Sequence, residues 1–167
     1  MSGTHARGLH VAIAFGVLAL DRFSKWLVAS RLSLHDTITV IPGFFRITHV
    51  ENSGAAFGLF SDSSFEWKLT LLILFSVLAL GVVSVLLWKN SHMVNATGTA
   101  LSLILGGALG NLWDRMISGH VVDFLDFNFG SYHWPSFNVA DSAIVVGAVL
   151  LVGDIVFSKT PEKERAL

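Results

Sequence analysis

Residues 67–88 read Trp67-Lys68-Leu69-Thr70-Leu71-Leu72-Ile73-Leu74-Phe75-Ser76-Val77-Leu78-Ala79-Leu80-Gly81-Val82-Val83-Ser84-Val85-Leu86-Leu87-Trp88. A helix needs about 20 mostly apolar residues to cross a hydrocarbon layer of roughly 30 Å. This stretch meets that requirement with one charged residue, Lys68 at its edge, and a tryptophan at each end, where interfacial aromatics sit. It reads as a membrane span, and the composition agrees: 53% of the 167 residues are hydrophobic and 14% charged, against about 25% charged in an average soluble domain. Residues 10–29, 96–117 and 137–157 form three further apolar segments of spanning length, each interrupted by ionisable groups. The expected fold is a mainly α membrane protein, a four-transmembrane-helix bundle with a small extracytoplasmic β-sheet and an interfacial loop. No Pro/Ser linker or charge block divides residues 1–167, so a single integral-membrane domain is expected.

Orientation follows the basic residues. Arg7, Lys89, Lys159, Lys163 and Arg165 lie at ends expected to face the cytoplasm, while Arg31 and Arg46, with Lys68 at the border, face outward. Both termini are then cytoplasmic, and residues 30–66 and 118–136 lie outside. Thr37-Ile38-Thr39-Val40 alternates with period two, Pro42-Gly43 offers a turn, and Phe45 to Val50 can return as a second strand. In the second outer segment Phe124, Leu125, Phe127, Phe129, Tyr132 and Trp134 are too apolar for a freely solvated loop and suit the membrane interface. Arg7 followed by Val11 to Leu20 has the form of a signal peptide, but Asp21 and Lys25 interrupt the region, so an uncleaved first span is expected. The absence of cysteine excludes disulfides, thiolate nucleophiles and cysteine metal sites. A formal net charge of -1 gives no reason to expect a nucleic-acid partner.

Ionisable residues inside spans cost several kcal/mol and normally face a bundle interior, a cavity or one another. Asp21 and Lys25, at i and i+4 with the acid first, suit an intrahelical ion pair. Asn111, Asp114 and Arg115 share the end of the third span, where Arg115 can neutralise Asp114 or hold a backbone carbonyl. Gly106-x-x-x-Gly110 is a small-residue pattern that permits close helix approach. Asp123 and Asp141 have no cation within a helical turn. They read either as solvated cap residues or as two carboxylates sharing a proton, an arrangement that can activate water. Asn138 lies one turn before Asp141 and can orient a carboxylate or cap the helix. Asn52-Ser53-Gly54-Ala55-Ala56-Phe57 is either a loop packed on backbone or a surface for an extended peptide.

Five of these segments, in order and spacing, resemble the signal peptidase II family: Asp21-Arg22-Phe23-Ser24-Lys25, Asn52 through Phe57, Gly106 through Arg115, Gly119-His120-Val121-Val122-Asp123-Phe124, and Phe137-Asn138-Val139-Ala140-Asp141-Ser142. The resemblance implies an aspartic endopeptidase of the bacterial inner membrane. Its substrates would be diacylglyceryl-modified prolipoproteins, cut just before the lipidated cysteine. It makes Asp123 and Asp141 the catalytic pair and gives supporting roles to Asp21, Lys25, Asn52, Gly54, Asn111, Asp114, Arg115, Asn138 and Ala140. It also implies contact with membrane lipids, a monomer, and no metal or cofactor. Arg22, Ser53 and Trp113 depart from the family's usual glutamine, threonine and tyrosine without removing a proposed catalytic group.

Three rival readings remain on the residues alone. A proton-coupled carrier would also need intramembrane acids, but these cluster outward in a chain without a repeat, whereas carriers bind near the midplane. A metalloprotease would draw on His49, Glu51, His120 and Asp123, yet there is no H-E-x-x-H pattern. A noncatalytic membrane scaffold is the third.

Overall fold

Four helices and four strands account for the residues that the structure, a computed structural model, describes: 3–54 and 67–157. The helices are α1 (Gly3–Arg31), α2 (Trp67–Asn90), α3 (Ala96–Ser118) and α4 (Val139–Phe157). The strands are β1 (Thr37–Ile41), β2 (Phe45–Asn52), β3 (Val121–Phe129) and β4 (Tyr132–Phe137). Ala55, Ala56 and Phe57, together with Lys159, Lys163 and Arg165, lie outside the described residues.

Helix α3 is the hub and packs against each of the other three. Small residues make this possible, because three glycines lie on faces where a methyl group would collide with a neighbour. A Cβ on Gly106 would come within 2.5 Å of the Ala14 carbonyl oxygen of α1, one on Gly107 would strike the Ala140 carbonyl of α4, and one on Gly110 would come within 2.5 Å of Asp21 Oδ2. Asn95 caps the start of α3 by accepting the Gly98 N–H at 2.6 Å. Gly119 ends the helix in the left-handed region, φ 76°, with its N–H on the Arg115 carbonyl, and so turns the chain into β3.

Helix α2 is apolar nearly all round, and Leu74, Phe75, Leu78 and Val82 stay exposed. Among the described residues, α2 and α4 are long and apolar enough to cross a membrane on length and composition alone. Their outward faces have no protein to cover them, as expected of a surface solvated by lipid.

The strands form one antiparallel sheet in the order β1-β2-β3-β4. The expected hairpin of β1 and β2 is present, closed by Pro42 and by Gly43 at φ 73°, with Phe44 N–H on the Ile41 carbonyl at 3.0 Å. The interfacial loop expected over residues 118–136 is corrected: this segment is a second hairpin, β3 and β4. Gly130 at φ 64° begins its two-residue turn between the paired Phe129 and Tyr132. The aromatic residues that suggested an interface also favour strands, and pairing with β2 decides between the two states. Phe45 opposes Phe127, Val50 opposes Asp123 and Asn52 opposes Val121. Pro135 is tolerated because β4 is an edge strand. Phe137 closes β4, so the last helix starts at Val139 and not at Phe137 as its apolarity suggested.

Candidate active site

Asp141 sits in the first turn of α4, and Asp123 near the start of β3. Asn138 is fully buried between them and joins the two. Its side-chain oxygen accepts the Asp141 backbone N–H at 2.9 Å, so it caps α4. With the oxygen fixed in that way, its amide nitrogen must face the other side, where it donates to Asp123 Oδ1 at 2.7 Å. The Asn138 backbone N–H also points to Asp141 Oδ2, at 3.3 Å. Helix capping and carboxylate orientation, open alternatives in the sequence, are both performed by this residue.

Two more asparagines hold the carboxylates in the same way. Asn52 accepts the Gly54 N–H at 2.8 Å and donates to Asp123 Oδ2 at 2.9 Å. Asn111 accepts from Lys25 Nζ at 2.9 Å and donates to Asp141 Oδ1 at 2.7 Å. In each case a donor holds the amide oxygen and so turns the N–H group onto a carboxylate. Burial first, then the neighbouring Asp141 carboxylate, push Asp123 up to about 6, against the N–H bonds from Asn52 and Asn138 that pull it down.

Behind the asparagines lies a charged layer. Lys25, 2% exposed, bridges Asp21 and Asp114 at 2.7 Å each, which gives the expected i,i+4 pair and adds a partner from α3. Asp21 also accepts the Ala140 N–H at 3.0 Å, so α1 fixes the first turn of α4. Arg115 takes the second of its two readings: it does not neutralise Asp114 but donates to the carbonyls of Gly54 at 3.0 Å and Asn111 at 3.3 Å. Asp114 is met instead by Lys25 and by Arg22. The pairing of Arg22 was missed in the sequence, where the residue stood out only as a departure from a motif.

An apolar cavity of about 610 Å³ opens beside Asp141. Phe44, Phe127, Phe137 and Trp134 line one side and Val145 and Val146 of α4 the other. Phe127 is stacked between Phe45 at 4.6 Å and Phe137 at 5.8 Å, so the aromatic wall is held by cross-strand contacts. The sequence marked most of these aromatics as apolar but could not place them around one space.

His49, Glu51, His120 and Asp123, the ligands a metalloprotease would draw on, do not form one metal-holding group. His49 Nδ1 lies 2.9 Å from the Leu32 carbonyl oxygen, and His120 pairs with Glu51 at 3.2 Å. Among the described residues no group of three or more His, Asp or Glu side chains is arranged to hold a metal.

A helical bundle with lipid-facing outer surfaces, two carboxylates at one end and a sheet folded over them defines a membrane enzyme. Two solved structures of bacterial membrane enzymes, both obtained by the in meso method, have this fold. One is 32% identical with a TM-score of 0.84 and covers 96% of this chain and 94% of its own, and the other is 33% identical with a TM-score of 0.79 and covers 92% and 95%. Residues 13–157 match the family described as Signal peptidase (SPase) II. The lipoprotein signal peptidase of Solibacter usitatus is 50% identical over 147 residues, 88% of this chain and 90% of the relative. That of Desulforapulum autotrophicum is 47% identical over 151 residues, 87% and 90%. The chain belongs to the signal peptidase II family and is a peptidase.

Proposed function

We propose that this protein is an aspartic endopeptidase of the bacterial inner membrane that removes signal peptides from diacylglyceryl-modified prolipoproteins by cutting just before the lipidated cysteine. All four helices would cross the bilayer, both termini would be cytoplasmic, and the site would lie at the outer leaflet. The observation that carries the reading is the double engagement of Asn138 with Asp123 and Asp141. Asn138 touches both carboxylates, Asp123 Oδ1 through its amide N–H at 2.7 Å and Asp141 Oδ2 through its backbone N–H at 3.3 Å, and two neighbouring carboxylates cannot cheaply both ionise, so the pair keeps one proton. The ionised member takes a proton from water as the oxygen attacks the scissile carbonyl. The protonated member donates to the carbonyl oxygen, and the roles reverse as the amine leaves. Asn52, Asn111 and Asn138 direct N–H groups at the carboxylates and hold them in place, while the buried Ala140 and Gly54 serve through their backbones, Ala140 by giving its N–H to Asp21 and Gly54 by accepting from Arg115. The mechanism asks for neither metal nor cofactor, so turnover in a chelator is expected.

The cavity beside Asp141 supports a lipid-bearing substrate. Burial of acyl chains gains on the order of 0.8 kcal/mol per CH₂, which both holds the precursor and fixes the depth of its scissile bond. Misplacement of a reacting bond costs heavily in rate. Lipidation is therefore expected to raise maximal turnover as well as binding, and equal maximal rates for lipidated and unlipidated precursors in one bilayer would refute this. For the pair itself, Asp123→Asn and Asp141→Asn are each expected to abolish cleavage while precursor binding persists. Near-normal turnover by either variant would end the two-aspartate reading.

A further inference from the structure

Arg22 lies on α1 next to Asp21, and its guanidinium meets Asp114 Oδ1 of α3. Lys25 occupies the other oxygen of Asp114 at 2.7 Å and reaches Asn111 Oδ1 at 2.9 Å, and Asn111 donates to Asp141 Oδ1 at 2.7 Å. A continuous chain of charged and polar contacts thus runs from a half-exposed guanidinium to the carboxylate pair. The formal charges in this network are Asp21, Asp114, Asp123 and Asp141 against Arg22, Lys25 and Arg115. Three cations balance four carboxylates only when one carboxylate is protonated. Asp21 and Asp114 touch cations directly, whereas among the described residues Asp123 and Asp141 are met by amide N–H groups. The balancing proton therefore belongs to the pair.

We propose that Arg22 is a positioning residue that sets the pH window in which the Asp123–Asp141 pair holds a single proton, acting through Asp114, Lys25 and Asn111. The proposal rests on the reading of that pair as catalytic. Other ionisable groups near the pair are matched among themselves: Glu51 with His120 at 3.2 Å, and Asp126 with Arg46 at 2.7 Å and His133 at 2.6 Å. His49 on β2 is held to the Leu32 carbonyl. Arg22 stands partly in solvent, with 37% of its side chain exposed, as do the half-buried Arg115 and Asp141, and it is the cation that meets Asp114 from the exposed side of the chain of contacts.

The test uses opposite signs. Arg22→Gln can still donate to Asp114 through its amide but removes a positive charge, so both limbs of the kcat/KM profile should move to higher pH, by about half a unit given the screening at a partly exposed site. Asp114→Asn removes a negative charge from the same ion pair and should move both limbs to lower pH. The double variant should return close to the wild-type profile, and Arg22→Lys should leave it in place. A merely structural ion pair predicts lower rates with unmoved limbs, or shifts of one sign, and either result overturns the proposal. If Arg22→Gln alone does not fold, the double variant against Asp114→Asn carries the same comparison, because the two differ only by the Arg22 charge and the limbs of the double variant must lie at higher pH. Asp123→Asn and Asp141→Asn are assayed alongside on lipidated precursor in detergent. Turnover in those two variants would defeat the catalytic reading itself, whereas inactive aspartate variants with unmoved limbs in the other two defeat only the role of Arg22.

Discussion

Asn138 caps α4 and, in the proposed mechanism, orients Asp123, and two substitutions can separate these tasks. Asn138→Ala loses the helix cap, a loss of about 1 kcal/mol, and also the donor to Asp123, for which a fall in kcat of roughly 10²–10³ is expected. Asn138→Asp keeps a cap acceptor but presents a third carboxylate where a donor is needed. It should be inactive and melt below wild type, since a buried third carboxylate has no cation to meet it, and activity retained in this variant would show that capping is the residue's whole contribution. The free enzyme should lose the shared proton as the pH rises through the value of about 6 at Asp123. A bound apolar precursor covers the site further and raises that value, so kcat/KM is expected to decline on the alkaline side at lower pH than kcat. From the residues alone Asp123 and Asp141 stood open between solvated caps and a proton-sharing pair, because the lack of a nearby cation fits both, and the resemblance singled them out as the proposed pair. Their amide clamps were less legible, since the role of an asparagine depends on which donor holds its oxygen. For Asn111 that donor is Lys25, 86 positions away.

Helices α3 and α4 meet where Gly107 faces the Ala140 carbonyl and Gly147 lies 2.7 Å, measured from a built Cβ, from the Ala100 carbonyl oxygen. A methyl group on Gly107 has to push α4 away, and α4 carries Asp141 one residue beyond Ala140. Gly107→Ala is expected to cost about 1–3 kcal/mol and to lower activity more than that loss alone explains. Gly81→Ala in α2, where nothing lies within 4 Å, should leave both unchanged. Thermal unfolding and turnover in one detergent check the pair, and equal effects would deny the contact its importance. The four helices were legible from apolar runs, and α2 and α4 most plainly, because lipid imposes length and composition on a helix that crosses it. The β3–β4 hairpin was not, since its partner strand is far away: Asn52 and Asp123 are 71 positions apart. The local signal was the Gly130-Ser131 turn, outweighed by aromatics that serve a strand and an interface equally well.

The proposed orientation of the whole molecule can be read by labelling, since the chain has no cysteine of its own. A cysteine at Ser131, in the turn of the second hairpin, is expected to react with an impermeant reagent added outside. One at Met93, 71% exposed in the turn between α2 and α3, is expected to be protected. The reverse pattern would invert the protein. Which segments come together was not legible at this scale, because the sheet joins chain on either side of two helices. The site itself draws on α1, β2, α3, β3 and α4. The pairing of Lys25 with Asp21 has a consequence for synthesis. In the proposed topology α1 reaches the bilayer, as the chain leaves the ribosome, before Asn111 and Asp114 have been made. A lone lysine or aspartate at a helix centre would then oppose insertion by about 2.5–3.5 kcal/mol. Placed one turn apart, the two offset each other within a single helix, which leaves Arg22 as the uncompensated charge of the proposed first span until Asp114 of α3 arrives to meet it.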